Sequence, residues 1–247
     1  MSINLIYQIV TLGIIGILFY FLARYVMNIF AENTYRPVSW TIKRKKGEIS
    51  GKLKYIERFY ADKVRFYNFW FQIERIKKEQ IQGSFAELGV YKGETAKIIH
   101  WMAPEKKFHL FDTFEGFKEK DLQEESGKAA TYTEVNFADT NIEKVRRKIQ
   151  GNDNVIIHKG YFPETTKDLE NEQYALVNID ADLYNPIKSG LDYFYPRLSP
   201  GGVLIVHDYN PDWEGAMKAV DEFKARIPEI PIPLPDMNTS VMIVKNK

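Results

Sequence analysis

The chain has no cysteine among its 247 residues, which excludes a disulfide framework and any zinc site built on thiolates. It also lacks a charge excess. Its 34 Lys and Arg against 33 Asp and Glu leave no electrostatic footprint for nucleic acid. Two phosphate-binding signatures are absent as well: no Gly-x-Gly-x-x-Gly and no Gly-x-x-x-x-Gly-Lys-Ser/Thr occurs, which removes the usual dinucleotide and nucleoside-triphosphate loops. The last absence is local. From Met1 to Ala23 there is no charged side chain, and Ile3 to Ala23 is apolar apart from interruptions such as Asn4, Gln8 and Thr11.

As a helix, that apolar run would reach about 31 Å, close to the hydrocarbon thickness of a bilayer. Residues 1–30 are therefore expected to form a single transmembrane anchor. A cleaved signal peptide is the competing reading, but no basic segment precedes the run and no small-x-small site follows it. A buried core helix would need a polar face, and the run has none. Residues 1–54 carry eight basic and two acidic side chains, a net +6, and the remainder is −5. Arg24, Arg36, Lys43, Arg44, Lys45 and Lys46 all follow the span, so the positive-inside rule puts the rest of the chain in the cytoplasm. Residues 31–54 read as a basic juxtamembrane linker, either solvated or lying on anionic headgroups. Residues 55–82, with Tyr55, Phe59, Val64, Tyr67, Phe71 and Ile76 at roughly helical spacing, read as one or two helices forming a lid or cap.

The chemistry begins at Phe85-Ala-Glu-Leu-Gly-Val-Tyr-Lys-Gly93. A short apolar run, two glycines four residues apart and a helix-forming run to Met102 spell strand, tight turn and helix N-terminus. Gly89 is expected to let a small molecule pass close to the main chain, and Gly93 to start the helix near the strand end. Acidic-x-Gly-x-x-x-Gly resembles the first motif of class I methyltransferases, whose loop holds the methionine end of S-adenosylmethionine. Other α/β proteins use similar βα turns. Lys107 to Phe111 reads as the second strand, and Asp112 at its tip suits a pair of ribose hydroxyls, or else a helix N-cap. Thr113 to Ala138 is a long charged connection that reads as a lid.

Further strands are expected at Val155–Lys159, Tyr174–Asp180 and Val203–Val206. Helices are expected at Asn141–Gln150, at Asn185–Tyr195 where Pro196 stops it, and at Gly215–Arg226. The run from Pro228 to Pro235 and the strand Ser240–Lys245 look like an antiparallel pair at the sheet edge. Alternating strands and helices imply a mostly parallel sheet covered on both faces, with ligands beyond the carboxyl ends of its strands. Asp180 and Asp182 close the fourth strand, and His207 and Asp208 the fifth. On neighbouring strands these tips are about 4.8 Å apart and their side chains can converge. Clustered carboxylates suit Mg²⁺, which could clamp a substrate hydroxyl and lower its pKa. Ordinary strand-end caps and surface charges are the alternative.

From about Gly83 to Lys245 the sequence resembles the TylF/MycF (macrocin O-methyltransferase-like) family of S-adenosylmethionine-dependent sugar O-methyltransferases. The resemblance rests on Glu87-Leu-Gly-Val-Tyr-Lys-Gly93, Phe111-Asp-Thr-Phe-Glu-Gly116, Gly160-Tyr-Phe-Pro163, Asp180-Ala-Asp-Leu-Tyr184, Tyr195-Pro-Arg-Leu-Ser-Pro-Gly-Gly202 and His207-Asp-Tyr209. It implies a Rossmann-like class I methyltransferase domain over residues 83–247, α/β, with a mostly parallel seven-stranded sheet and an antiparallel C-terminal edge strand. The cofactor set it implies is Glu87, Gly89, Tyr91, Gly93, Thr95 and Asp112. It further implies a divalent metal at Asp180 and the pair His207 and Asp208, with Asp182 as general base. The family's pair is usually Asp-Asp. Imidazole suits Mn²⁺, iron or zinc better than Mg²⁺, and His207 could serve as base instead. The implied acceptor is a hydroxyl of a small molecule or of a glycan or lipid-linked glycan. Catechol, phenol or nitrogen acceptors, a silent membrane-tethered scaffold, and a homo-oligomer all stay open.

Overall fold

A computed structural model describes residues 3–34, 36–123 and 125–246. Met1 and Ser2 of the expected anchor and Lys247 of the expected catalytic domain lie outside the described residues. The chain divides into two compact units, residues 1–58 and 59–247.

The first unit opens with α1 (Ile3–Thr34). Its stretch Ile3–Met27 is long and apolar enough to cross a membrane, and none of its most apolar window is buried. α2 (Val38–Lys45) starts directly after Pro37, whose fixed φ suits a helix start, and α3 spans Gly51–Phe59. Glu57 is buried and accepts from Arg36 Nε at 2.8 Å and Arg44 at 3.3 Å. The segment read as a linker is thus partly helical, and two of its arginines are tied to one carboxylate.

The second unit begins with α4 (Lys63–Lys78). Its buried stripe is Phe66, Phe69, Trp70, Ile73 and Ile76, while Phe71 and, before the helix, Phe59 are exposed. Of the expected stripe, Tyr67 and Ile76 are buried, Val64 is half-buried, and Tyr55, Phe59 and Phe71 are exposed. Aromatic residues on both faces blur the period that locates a core-facing side.

Seven strands follow: β1 (Ser84–Leu88), β2 (Phe108–Asp112), β3 (Val155–Lys159), β4 (Tyr174–Ile179), β5 (Leu198–Val206), β6 (Ile232–Pro233) and β7 (Val241–Val244). Their order is β3-β2-β1-β4-β5-β7-β6. The first five run parallel, β7 is antiparallel to β5, and β6 is antiparallel to β7. The C-terminal strand is thus covered on its outer side by β6, two residues long and ending in proline, which suits an edge. Helices α5 (Glu94–Met102), α6 (Glu119–Leu122), α7 (Ile142–Ile149), α8 (Tyr184–Arg197) and α9 (Glu214–Lys224) fill the crossovers and their flanks. α8 runs through Pro196 instead of stopping before it. A proline in the final turn removes one hydrogen bond where few remain to lose. β5 also starts earlier than expected: Leu198 pairs with Tyr174, and Val203 then pairs with Leu176 across an irregularity.

Between sheet and α8 lies an aromatic core. Phe194 stacks on Phe162 at 5.4 Å and meets Phe111 at 5.8 Å and Tyr174 at 5.1 Å edge-on. Phe194→Ala should cost about 3–5 kcal/mol of stability, read from the denaturation midpoint of the full chain. A loss below about 1 kcal/mol would show that this cluster is not the core.

Candidate active site

At the carboxyl end of β1 the chain turns through residues 89–93 into α5. Gly89 has φ +84°, and a Cβ added there would stand 2.0 Å from the Asp180 carbonyl oxygen. The space beside Gly89 is therefore filled by the end of β4. The glycine lets two strand ends touch, and the expected clearance for a ligand at this atom is corrected accordingly. Gly93, φ +77°, is the residue before α5, and an added Cβ would come within 3.1 Å of Val145 on α7. Asp112 shapes this loop: its Oδ2 accepts from the N–H groups of Val90 and Tyr91 at 2.7 and 2.8 Å, and its Oδ1 from Phe114 N–H at 2.6 Å. A carboxylate offers about four acceptor positions, so roughly one stays open toward the cavity.

That cavity measures about 490 Å³ and sits beyond the carboxyl ends of β1, β2, β4 and β5. Glu87, Gly89, Tyr91, Thr95, Asp112, Asp180, Asp182, His207 and Asp208 all line it; of the residues singled out from the sequence only Gly93 does not. The connection 113–138 forms one wall. Phe117 stacks on Tyr132 at 5.5 Å, Phe137 meets both edge-on, and Tyr91 meets Phe137 at 4.9 Å. Lys128 lies 4.3 Å over the Trp213 ring, and both face the cavity.

Below these aromatics runs a closed circuit of hydrogen bonds. Arg65 donates to Asp180 Oδ2 at 2.8 Å. Asp180 Oδ1 stands 3.1 Å from His207 Nδ1, and His207 Nε2 stands 3.0 Å from the Met237 carbonyl. Met237 N–H donates to Asp62 Oδ2 at 2.7 Å, and Asp62 Oδ1 caps α4 by accepting from Arg65 N–H at 2.9 Å. His207 Nδ1 also lies 3.1 Å from Asp208 Oδ1, but only its contact with Asp180 has hydrogen-bond direction. Asp182 and Asp208 leave their strands at φ +59° and +62°. Such left-handed aspartates are uncommon and concentrate at functional turns.

The protonation states follow from these contacts. A backbone carbonyl only accepts, so His207 Nε2 carries a proton; Nδ1 faces carboxylate oxygens, so it carries one too. Burial works against that charge, but the Asp180 carboxylate more than offsets it and pushes His207 up to about 10. Burial would likewise raise Asp180, yet Arg65 and His207 hold it well below the usual carboxylate range. Glu87 and Asp182 go the other way: burial first, then the nearby Asp180 charge, raises both well above it. Glu87 keeps one partner, Asn178 Nδ2 at 2.9 Å. The alternative of His207 as a base meets a plain obstacle, since an imidazolium with both protons engaged has no lone pair to offer.

Asp180, His207 and Asp208 offer ligand atoms within 4.8 Å of one another, the only such group among the described residues. The donor set nevertheless fits Mg²⁺ poorly. Mg²⁺ takes oxygen ligands and keeps several waters, whereas the central atom here is a protonated ring nitrogen. Asp180 already neutralises two cations.

Several participants escaped the sequence reading, Arg65 above all. The signal was present: Arg65, Phe69, Ile73 and Ile76 fall at i, i+4, i+8 and i+11 on the buried stripe, and an arginine there requires a partner. Tyr60, whose hydroxyl meets Thr95, and the Met237 carbonyl gave no comparable signal.

A family model described as macrocin-O-methyltransferase (TylF) matches residues 43–244. The 8-demethyl-8-(2,3-dimethoxy-alpha-L-rhamnosyl)-tetracenomycin-C 4'-O-methyltransferase of Streptomyces olivaceus is 25% identical over 177 residues, 66% of each chain. The mycinamicin III 3''-O-methyltransferase of Micromonospora griseorubida is 25% identical over 150 residues, covering 56% of this chain and 59% of that one. The chain thus spans two thirds or less of the length of these relatives. Among solved structures, the O-methyltransferase NovP superposes with a TM-score of 0.66 at 23% identity, over 75% of this chain and 81% of that one. A calicheamicin methyltransferase gives 0.58 at 17% identity, over 90% and 91%. At these identities both show the fold alone.

Asp112→Asn tests the loop's architecture. The amide nitrogen would turn a donor toward backbone N–H groups, so hydrogen-exchange protection at Val90, Tyr91 and Phe114 should fall by about tenfold or more. Unchanged protection at all three would mean that the loop holds itself.

Proposed function

The chain belongs to the macrocin-O-methyltransferase (TylF) family, and from that premise we propose that it transfers a methyl group from S-adenosylmethionine to a hydroxyl of a sugar or glycoconjugate. The observation that carries this reading is the single cavity shared by the glycine loop, Asp112 and the acid cluster. In such a cavity Asp112 receives the ribose hydroxyls, the 89–93 loop and Thr95 flank the methionine end, and the acceptor lies between Asp182 and the wall of Tyr132 and Trp213. Apolar ring faces with flanking lysines suit a sugar better than a flat stack of two aromatic walls would.

The reaction is an in-line displacement. The acceptor oxygen forms a bond to the methyl carbon while the carbon–sulfur bond breaks. The sulfonium leaves as a neutral thioether, and the hydroxyl proton passes to the Asp182 carboxylate. Orientation supplies most of the acceleration, because the donor is already reactive. Asp182 suits the base role through its raised pKa, which brings a carboxylate nearer to the working range of a general base. The same shift dictates the pH profile. Below its raised pKa the group is protonated and cannot accept, so kcat climbs with pH, and the limb lies well above the ordinary aspartate value of 3.8. Asp182→Asn should lower kcat by about 10²–10⁴ while calorimetry shows cofactor affinity within a few fold, and that acidic limb should vanish. A variant that loses cofactor binding instead would displace Asp182 from the base role.

We also assign α1 as a single-pass anchor that keeps the catalytic unit on the cytoplasmic side, which favours an acceptor carried on a lipid. Labelled cofactor added to membranes should then mark a glycolipid fraction; label confined to soluble small molecules would count against a lipid-linked acceptor. The lack of cysteine makes topology directly testable. Val135 is 77% exposed, so Val135→Cys should react with an impermeant maleimide in inside-out vesicles and not in right-side-out ones. The reverse pattern would invert the orientation.

A further inference from the structure

Asp180, His207 and Asp208 offer ligand atoms close enough to hold a cation, yet each of the two aspartates here already faces a cation. Two carboxylates, Asp180 and Asp208, face two cations, Arg65 and His207, with N to O distances of 2.8, 3.1 and 3.1 Å. Both cations are buried and neither is a loose surface group. The Arg65 guanidinium is buried against Asp180, its backbone N–H held at the α4 cap by Asp62, and His207 is held by Asp180 on one side and the Met237 carbonyl on the other.

We propose that Arg65 and His207 stand in for a divalent cation, so that this chain's acid cluster binds no metal and the transfer runs without one. Arg65 is a positioning residue in this scheme. It holds Asp180 in place, and the fixed charge of Asp180 holds His207. A divalent ion entering the cluster would have to expel the Nδ1 proton and settle beside a guanidinium, bringing excess positive charge into a buried site. One feature favours the competing view: Asp208 Oδ1 is buried without a directed donor, and an imidazole whose far nitrogen donates to a carbonyl resembles a metal-ligating histidine. The two views separate on metal binding itself.

The proposal rests on the methyltransferase reading only for the word transfer; its test does not need turnover. The full-length chain, stripped with chelator, is titrated with Mg²⁺, Mn²⁺ and Zn²⁺ by calorimetry, and its melting temperature is followed with each ion. Wild type should show no saturable heat and no metal-dependent rise in melting temperature, and chelator should change any transfer rate by less than about twofold. His207→Asp removes a cation and adds a carboxylate, so it should gain Mg²⁺ affinity by at least about tenfold and melt higher with the ion than without it. Arg65→Met, which strips one cation without touching the ligand atoms, should gain in the same direction and serves if His207→Asp does not fold. Saturable binding of any of the three ions to wild type, displaced by His207→Ala, would overturn the proposal. So would folded His207→Asp and Arg65→Met chains that gain no affinity. Absence of transfer in a wild type that binds no metal would count against the methyltransferase reading and leave this one standing.

Discussion

The Asp180 carboxylate is gripped from two directions in sequence, by Arg65 from the helix that precedes the sheet and by His207 from the end of β5. The grip is what joins α4 to the sheet's carboxyl rim. It closes through Asp62, which caps α4 with one oxygen and holds the Met237 N–H with the other, and Met237 in turn holds His207. Five residues from four separate stretches of the chain thus become one ring of mutual constraints. Each member is positioned by two others, so the site's geometry is set by the ring and not by any single rotamer. Paired buried charges add little net stability on average, but removing one partner leaves the other stranded, at a cost of several kcal/mol. Such a ring is therefore a device for fixing geometry more than for adding stability.

The backbone at the rim obeys the same constraint. Gly89 must lack a Cβ because the Asp180 carbonyl lies where one would stand. The space where a Gly89 Cβ would stand is taken by the end of β4, while Gly89 itself still lines the cavity. Just beyond this contact the 89–93 loop is held by Asp112, which accepts from its Val90 and Tyr91 N–H groups. The acidic residue at the second strand's tip thus has a structural task before it has a binding one.

The alternation of strands and helices, the antiparallel ending and the convergence of strand-tip acids were legible because each rests on local pattern: apolar runs, turn glycines, and the rule that parallel sheets gather function at their carboxyl ends. Partnerships were not legible. Nothing near Asp180 in sequence points to Arg65, 115 residues earlier, and the aromatic crowding of α4 left its buried face legible only at Tyr67 and Ile76. The acids were visible as a cluster, but their charge states depend on that distant arginine. The expectation of a metal at Asp180, His207 and Asp208 was formed from the strand-tip residues alone, with Arg65 out of view.

Charge placement at this rim runs outward from one group. Asp180 stays ionised because two cations face it, and that fixed negative charge then acts on every neighbour. It keeps the His207 ring protonated, and it adds to burial in raising Glu87 and Asp182 well above the usual carboxylate range. The consequence for chemistry is a division of labour among carboxyl groups that share one cavity. Asp180 is too stabilised as an anion to take a proton from an acceptor, and Asp182 is poised to take one because its neighbour resists protonation. Two aspartates separated by a single alanine therefore shift in opposite directions: Arg65 and His207 lower Asp180, while burial and then the charge of Asp180 raise Asp182.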